Sequence, residues 1–281
     1  MPLLLRRILS LVATVLGTSG IFSALLWITP GSPGRTGEKI SLITWLSRFW
    51  IGVVTGDLGE SYRGYPVGEM VQRGLLTSLP SILVALVLSI SLAWVLALSR
   101  NVWALRPLRV LLHLLSLCPV FLLGYLAVVL FAVPPEGFGQ RLAAVLVLAL
   151  GDGLFTDALG TLEGEIKAVL DKDFVHGARL RGRSVFPILA QHLALPTAQL
   201  MASRIGFLLG GILVLEMVLG IQGLGLMGYR AARHGDFPLL LAITVTISFV
   251  LALAQIGVDV LRIGVDPRAR HDRRIVPRVT A

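Results

Sequence analysis

Six long apolar runs constrain this chain more than any other feature of its sequence. A hydrocarbon core of about 30 Å needs about 20 residues of helix to cross it, and backbone groups cannot stay unpaired in lipid. The runs that reach this length are Ile8 to Ile28, Leu76 to Ser99, Val110 to Val133, Leu142 to about Gly160, Thr197 to Gly220 and Phe237 to Leu261. The sequence therefore predicts an all-α integral membrane protein with six transmembrane helices.

Composition and charge narrow the class further. Of the 281 residues, 55% are hydrophobic and 15% are charged, whereas about a quarter of a soluble domain is charged. A net charge of +9 would suggest nucleic acid in a soluble chain, but in a membrane chain it reflects arginines that fix loops on the cytoplasmic side, so nucleic-acid binding is not expected. The first run is longer than the apolar core of a signal peptide, which has about 7–15 residues, and is predicted to be a retained helix.

The distribution of Lys and Arg predicts the orientation. With both termini inside the cell, the predicted cytoplasmic segments hold about twice as many of these residues as the outside segments. The fourth run is the least regular, because its apolar part ends at Gly151 and Asp152 follows. We expect the helix to continue with Asp152 facing the interior of the bundle, and the alternative is an early exit from the membrane. Before the second run, "SLITWLSRFWIGVV" is amphipathic and suits the membrane interface.

A charged segment, "DKDFVHGARLRGRSVFPILAQHLALP", lies between the fourth and fifth runs at residues 171–196. Small and apolar residues recur there every four positions and three arginines lie off that row; the row is Phe174, Ala178, Gly182 and Phe186, and the arginines are Arg179, Arg181 and Arg183. This pattern predicts a helix broken near Gly182, with an apolar stripe and a basic shoulder. It fits an interfacial helix that carries the positive-inside signal, or a knob whose small residues seat in a cleft on a cytoplasmic partner.

The same segment resembles the coupling-helix signature of ABC importer permeases, E-A-A-x-x-x-G. In "HGARLRG", Ala178 and Gly182 keep the separation of the signature, while His176 and Gly177 stand where its Glu and first Ala would be. The dipeptide, oligopeptide and nickel branch of these permeases often departs from the signature there too, with sequences similar to "DYVRTARAKG". The positions that match this form are Asp173, Phe174, Val175, Ala178, Arg179 and Gly182.

Four other stretches carry the same resemblance, in the order of the family. "TPGSPG" follows the first helix, and "GDLGESYRGYPVGEMVQRGLLTSLP" leads into the second. "GGILVLEMVLGIQGLG", residues 210–225, resembles "GGAVLVExVFxxPGLG", and "VDVLRIGVDPRAR", residues 258–270, resembles "VDLLYxxLDPRIR". With five matches in order over nearly its whole length, the chain is similar to the first-type permease subunits of peptide and nickel ABC importers.

The resemblance implies a type I ABC importer permease fold with a cytoplasmic coupling helix between helices four and five. It divides the chain into a first helix and extracytoplasmic segment at 1–75, a permease core at 76–270 with a coupling loop at about 161–196, and a basic cytoplasmic tail at 271–281. The implied setting is the inner membrane, with both termini in the cytoplasm. The implied partners are a second homologous permease subunit, two ATP-binding cassette ATPase subunits, an extracytoplasmic substrate-binding protein and membrane lipid.

The chain itself is expected to be no enzyme and to hold no cofactor or metal, because it has no P-loop and its five histidines are dispersed. By resemblance, ATP and Mg are bound by the partner ATPases, and the cargo is a peptide, with nickel chelates or other small solutes as further options. The implied ATPase-coupling contacts are Phe174, Ala178, Arg179, Gly182 and Arg183.

One acidic residue near the outer end of helix five has a counterpart in the family. Glu216 matches the family glutamate that precedes a Gly-Leu-Gly turn, and it either orients that turn or touches substrate. Gly223 and Gly225 are predicted to make the turn at the outer mouth, where it would serve as a gate or simply as a tight reversal.

Other polar groups at membrane depth are expected to be paired within the bundle. Arg204 is expected to pair with Asp152 or Asp259, and His113 is expected to hydrogen-bond to a neighbouring side chain. The alternatives to a permease are a secondary transporter and a membrane enzyme or scaffold. An ion-gradient-driven secondary transporter would show an inverted repeat, and none is convincing here. A membrane enzyme would show a nucleophile–base set, which is missing, and a non-transport scaffold has no motif in its favour.

Overall fold

The computed structural model describes residues 2–29, 41–100, 102–131 and 137–265, with the side chains of residues 2–8, 258, 259 and 261–265 outside that description. This part of the chain folds into eleven α-helices and one short 3-10 helix at Trp103–Leu105. The α-helices are α1 Pro2–Ile28, α2 Leu42–Thr55, α3 Val67–Leu98, α4 Arg106–Ser116, α5 Val120–Phe131, α6 Phe138–Leu150, α7 Leu154–Leu170, α8 Asp173–Leu180, α9 Phe186–Leu219, α10 Leu224–His234 and α11 Phe237–Val265. The predicted basic tail and most of "TPGSPG" lie outside the described residues.

Four helices are long and apolar enough to cross a membrane unaided: α1, α3, α9 and α11. Two further candidate spans are each formed by a bent pair of helices, which are long and apolar enough only when the two helices are taken together. The pairs are α4 with α5 and α6 with α7. Counting each pair as one span gives the six that the sequence predicts. The prediction that helices three and four are continuous is wrong, because the first pair bends by 109° and the second by 47°.

The two bends meet and satisfy each other's backbone groups. The carbonyl oxygens that α4 leaves free at its end accept from the second bend, with the Gly153 amide 2.7 Å from the Ser116 oxygen and the Asp152 amide 3.2 Å from the Cys118 oxygen. In return the Asp152 carboxylate accepts from the Val120 amide at 2.8 Å. Irregular backbone at membrane depth is tolerated where its polar groups are paired within the protein, as they are here. We call this region, residues 116–120 and 150–154, the double break.

Contacts along α9 place α5 and α6 beside its second half. Gly124 of α5 lies against Leu215, far along α9. Gln140, at the start of α6, donates from Nε2 to the Leu219 carbonyl at 2.6 Å, and Gly211 contacts Leu148 at the other end of α6. Helix α5 therefore runs beside α9 towards the end of α9, and α6 returns beside it in the opposite direction. We refer to the two ends of the bundle as the α10 end, where α9 finishes, and the α8 end, where it begins.

Helix α3 contributes to each of the three buried apolar clusters and so joins the bundle together. One cluster packs α3 against α5, α6 and α9, the second packs it against α1, α2, α10 and α11, and the third against α4, α7 and α9. Polar side chains reinforce the third cluster, where Arg109 donates to Glu163 at 2.8 Å and to the Leu96 carbonyl. His113 shares a hydrogen bond of 3.0 Å with Thr156, as expected.

Three helices extend beyond the predicted runs. α3 begins at Val67, after Pro66 at its N-cap, so the predicted boundary between residues 75 and 76 falls inside this helix. α9 begins at Phe186 rather than Thr197 and contains Pro196, and α7 includes residues 162–170, which were predicted to lie in the charged cytoplasmic segment. The apolar runs are shorter than these helices because helical turns of polar residues extend each helix beyond the membrane core. The amphipathic stretch before α3 is helical as α2, capped by the Ser41 hydroxyl.

Candidate functional site

The segment between α7 and α9 forms a separate short helix, α8. Asp173 stands in its first turn, where a negative charge is favourable, and Arg179 in its last. The helix ends in a tight reversal, with the Gly182 amide donating to the Arg179 carbonyl at 2.9 Å and the Arg183 amide to the Ala178 carbonyl at 3.0 Å. Gly182 has φ +67°, in the left-handed region that glycine adopts at helix ends. The break predicted near Gly182 is thus present.

The predicted apolar stripe of α8 does not lie on one face. Val175 and Ala178 are buried against the rest of the chain, with exposed fractions of 0% and 3%. Phe174 is 47% exposed and its ring stacks on His192 of α9 at 5.1 Å, while Leu180 is 89% exposed. Ala178, predicted as an ATPase contact, therefore holds α8 against the helix bundle of this chain. The spacing of Val175 and Ala178, three residues apart, is the signal that could have identified the buried face.

A basic shoulder accompanies the exposed face of α8. Arg179, Arg181 and Arg183 are all exposed, and none of them forms an ion pair with another residue that the structure describes. The Arg181 guanidinium folds back over Gly177, 3.7 Å from where a Cβ would stand. α8 thus presents two exposed apolar side chains beside free positive charge, with its opposite face fixed to the bundle.

At the other end of α9, Glu216 is fully buried and its carboxylate is satisfied by neighbouring groups. Its Oε1 accepts from the Ser78 hydroxyl at 2.5 Å and its Oε2 from the Gly225 amide at 2.7 Å. The Ser78 oxygen in turn accepts from the Leu224 amide at 2.9 Å. Of the two roles expected for Glu216, this geometry favours orienting the turn, because the carboxylate links the start of α10 to α3.

Gly223 and Gly225 are glycines because other groups occupy the space beside them. A Cβ on Gly223 would overlap the Glu216 carboxylate, and a Cβ on Gly225 would overlap the backbone of Leu213. The reversal begins at Gly220, which ends α9 with φ +74°. The two predicted turn glycines therefore lie in a closely packed reversal, which we call the Glu216 turn.

Asp236 forms a second buried carboxylate site at the α10 end, which sequence reasoning missed. Only 1% exposed, it accepts from the Ser61 hydroxyl at 2.5 Å, the Tyr62 amide at 3.2 Å and the Leu239 amide at 3.3 Å. It thereby caps α11 and ties down the "GDLGESYRG" segment, whose Tyr62 ring stacks on His234 at 4.9 Å. An Asp directly before a long apolar run is an N-cap signal, and that signal was available in the sequence.

Arg204 does not form an ion pair with Asp152, one of its two expected partners. Arg204 forms its ion pair with Asp157 at 2.8 Å and lies over the Phe207 ring at 5.5 Å. Asp152 instead accepts from the Val120 amide in the double break, where its backbone has φ +51°. The side chain of Asp259 lies outside the described residues. Among the residues whose structure is described, no group of three or more His, Cys, Asp or Glu side chains could hold a metal ion.

Residues 85–271, well over half of the chain, match the family model of the binding-protein-dependent transport system inner membrane component. The chain belongs to this family. The resemblance drawn from five ordered motifs is confirmed, and the bundle of straight and bent spans is a type I ABC permease fold. The protein is accordingly a permease subunit of an ATP-driven ABC importer located in the inner membrane.

Curated relatives match the permease along nearly its whole length. A probable peptide ABC transporter permease protein, y4tP of Sinorhizobium fredii, is 25% identical over 95% of this chain and 99% of its own. The glutathione transport system permease protein GsiC of Salmonella choleraesuis is 26% identical over 95% of this chain and 98% of its own. The dipeptide transport system permease protein DppB of Bacillus subtilis is 24% identical over 96% and 98%.

Proposed function

We propose that the permease forms one half of a paired transmembrane pathway and passes peptides that an extracytoplasmic binding protein delivers. Two separate ATPase subunits bind ATP and Mg and drive the cycle, and the α8 end faces them in the cytoplasm with both chain termini. Relatives named for peptide, glutathione and dipeptide transport support the cargo class. The excess of Lys and Arg on one side of the predicted spans supports the orientation.

The exposed face of α8 is the observation that carries this proposal. Leu180 and Phe174 expose 89% and 47% of their surface on a helix that lies between two spans and is not itself long enough to be one. Burying a leucine side chain contributes about 1.5–3 kcal/mol. An ATPase cleft with an apolar floor and an acidic rim would bury these side chains and pair the three free arginines.

The predicted coupling residues take different roles in this proposal. Phe174, Arg179 and Arg183 contact the ATPase, together with Leu180, because all four are exposed. Ala178 seats α8 on the permease, as its burial indicates. Gly182 allows the left-handed turn that ends the helix, and a Cβ there would meet nothing within 4 Å in this chain. Coupling then needs α8 to be firmly attached on one face and complementary to a partner on the other.

Helix α9 connects α8 with the opposite end of the bundle. Phe174 stacks on His192 in the first turns of α9. The helix has 34 residues, which corresponds to about 51 Å at 1.5 Å per residue, and its far end carries Glu216. One continuous helix therefore connects the proposed ATPase contact with the Glu216 turn, and we propose that a displacement of α8 is transmitted along it to the outer gate formed at Gly223 and Gly225.

Two substitutions of Gly182 test the coupling contact. Gly182→Asn tolerates the left-handed conformation and adds little bulk, whereas Gly182→Trp fills the space beside α8 that the partner would occupy. We expect both variants to insert into the membrane with the α10 end unchanged. Only the Trp variant should lose substrate-stimulated ATP hydrolysis in the complete complex with its ATPases. Normal stimulated hydrolysis by Gly182→Trp would contradict an ATPase contact at α8. A matched control is Gly164→Trp, at an exposed helical position of α7.

The cargo is tested separately on the binding protein. We expect the cognate receptor to bind peptides in a calorimetric screen and the reconstituted complex to import the same peptides. A receptor that binds nickel chelates and no peptide would contradict the cargo class without affecting the coupling role of α8.

A further inference from the structure

A deep apolar crevice lies between α1, α2 and α11, away from both the Glu216 turn and α8. Its volume is about 440 Å³, within the range of about 300–1,000 Å³ that ligand sites occupy. The floor is formed by side chains that are almost fully buried, Val15, Phe49 and Val245, and the rim by the half-exposed Val12 and Val53. A site of this composition takes a hydrocarbon chain.

A smaller cavity of about 210 Å³, with two charged side chains in its lining, adjoins the crevice at the α10 end. The two cavities share Phe49 and Leu58 in their walls. The smaller one is also lined by Arg48 and Asp57, both exposed, so that it presents one positive and one negative side chain. Among the described residues, Arg48 makes no ion pair, and the Asp57 carboxylate accepts from the Gly59 amide at 3.0 Å.

The course of the backbone around Gly52 brings Asp57 and Arg48 to the same cavity. After α2 ends at Gly56, with φ +79°, the chain folds back onto the face of the helix that carries Gly52. A Cβ on Gly52 would overlap the Asp57 carbonyl and would lie 3.2 Å from its carbon. Gly52 stands one helical turn beyond Arg48, on the same side of α2. The glycine therefore lets Asp57 approach the helix next to Arg48.

The dimensions of the combined site match one leaflet of a bilayer. Its wall on α11 runs from Pro238 to Phe249, which is about 17 Å along a helix. Half of a hydrocarbon core of about 30 Å is about 15 Å. The length of the combined site along α11 is therefore about that of one leaflet, and of a lipid molecule within it.

We propose that the site holds one aminophospholipid, with an acyl chain in the crevice, the phosphate at Arg48 and the headgroup ammonium at Asp57. Charge complementarity decides between headgroups. Arginine recognises phosphate through charge-assisted hydrogen bonds, and a carboxylate accepts hydrogen bonds from a primary ammonium. A quaternary amine cannot donate them, and a glycerol headgroup offers no positive charge. The site therefore discriminates in favour of phosphatidylethanolamine.

The test is lipid retention by the purified complex, measured by native mass spectrometry after exchange into phosphatidylethanolamine, phosphatidylcholine or phosphatidylglycerol. We expect the unmodified complex to retain one additional phosphatidylethanolamine. Arg48→Gln should weaken its retention about tenfold, because a hydrogen bond to a charged group is lost. Asp57→Asn should abolish the preference over the other two lipids. Arg141→Gln, at an exposed arginine in the first turns of α6, is the matched control and should change nothing.

A second pair of variants tests the crevice itself. Val12→Trp fills it from the half-exposed rim without disturbing the buried floor, and Val129→Trp adds the same bulk on the exposed surface of α5. We expect only the first to lose the lipid, and a photoactivatable phosphatidylethanolamine to crosslink to α1 and α11 in the unmodified complex. Equal retention of the three lipids, or unchanged retention in Val12→Trp, would overturn the proposal. Crosslinking of the second permease in place of lipid would overturn it as well.

Discussion

The two ends of α9 differ in how completely this chain satisfies them. At the α10 end, Glu216 is fully buried, both of its oxygens accept hydrogen bonds, and the adjacent glycines leave no space unfilled. At the α8 end, Leu180 is almost fully exposed and three arginines lack ionic partners among the described residues. The first end is satisfied within this chain, whereas the second is an exposed surface that, in our proposal, an ATPase subunit covers. Substitutions should therefore affect stability at the first end and coupling at the second.

The largest effect is expected from Gly225→Ala in the Glu216 turn. Its new Cβ would overlap the backbone of Leu213, which cannot move aside as a side chain can, so α10 must shift and its hydrogen bonds to Glu216 and Ser78 must lengthen. Overpacking of this kind costs about 1–3 kcal/mol, and lost buried hydrogen bonds add to it. We expect a large drop in the thermal midpoint of the purified permease complex.

The matched control for this variant is Gly228→Ala, one turn further along α10. A Cβ there would lie 3.9 Å from the nearest atom, Ile243 Cδ1, which is an ordinary contact. Replacing glycine by alanine within a helix is otherwise favourable by up to about 1 kcal/mol. If both variants had the same thermal midpoint, the close packing of the Glu216 turn would not be a source of stability.

A smaller effect, on coupling alone, is expected from Leu180→Ser at the α8 end. The side chain contacts little within the permease, so the thermal midpoint of the permease should not change. The variant would lose about 1.5–3 kcal/mol of burial in the complex, which corresponds to at least about tenfold weaker ATPase docking. The measurement is substrate-stimulated ATP hydrolysis as a function of added ATPase subunit.

Val54→Ser provides the control for Leu180→Ser. Val54 is 86% exposed, nearly as much as Leu180, but it lies on α2 at the other end of the bundle. We expect its hydrolysis curve to match that of the unmodified complex. If Leu180→Ser shifted the thermal midpoint but left ATPase docking unchanged, the comparison between the two ends would be contradicted, because α8 would then be a structural element.

Sequence patterns predicted the spans and the family better than they predicted the side-chain partners. Apolar length alone gave four helices and located the other two crossings, because the cost of unpaired backbone in lipid depends on length and composition. It could not show the double break. There Gly151 ends α6 and Gly153 precedes α7, and this arrangement depends on the Ser116 carbonyl, which accepts a hydrogen bond from the Gly153 amide. Likewise the burial of Ala178 depends on which face of a short helix meets the bundle, and periodicity over eight residues supports more than one face.

The smallest effect is expected at the ion pair between Arg204 and Asp157, a partner that the sequence patterns did not suggest. Arg204 and Asp157 lie 2.8 Å apart, but the Asp157 side chain is 49% exposed, so screening limits the pair to about 1 kcal/mol or less. Asp157→Asn should lower the thermal midpoint only slightly, while Asp152→Ala, which leaves the Val120 amide of the double break without its acceptor, should lower it more. Asp152→Asn keeps an acceptor oxygen and should recover most of that loss. The order reflects the burial of the group that is left without a partner: water can replace one side of a half-exposed ion pair, whereas Val120 is only 4% exposed and its amide has less access to water. If Asp157→Asn were the more damaging change, the ion pair would hold α7 and α9 together more strongly than its exposure allows.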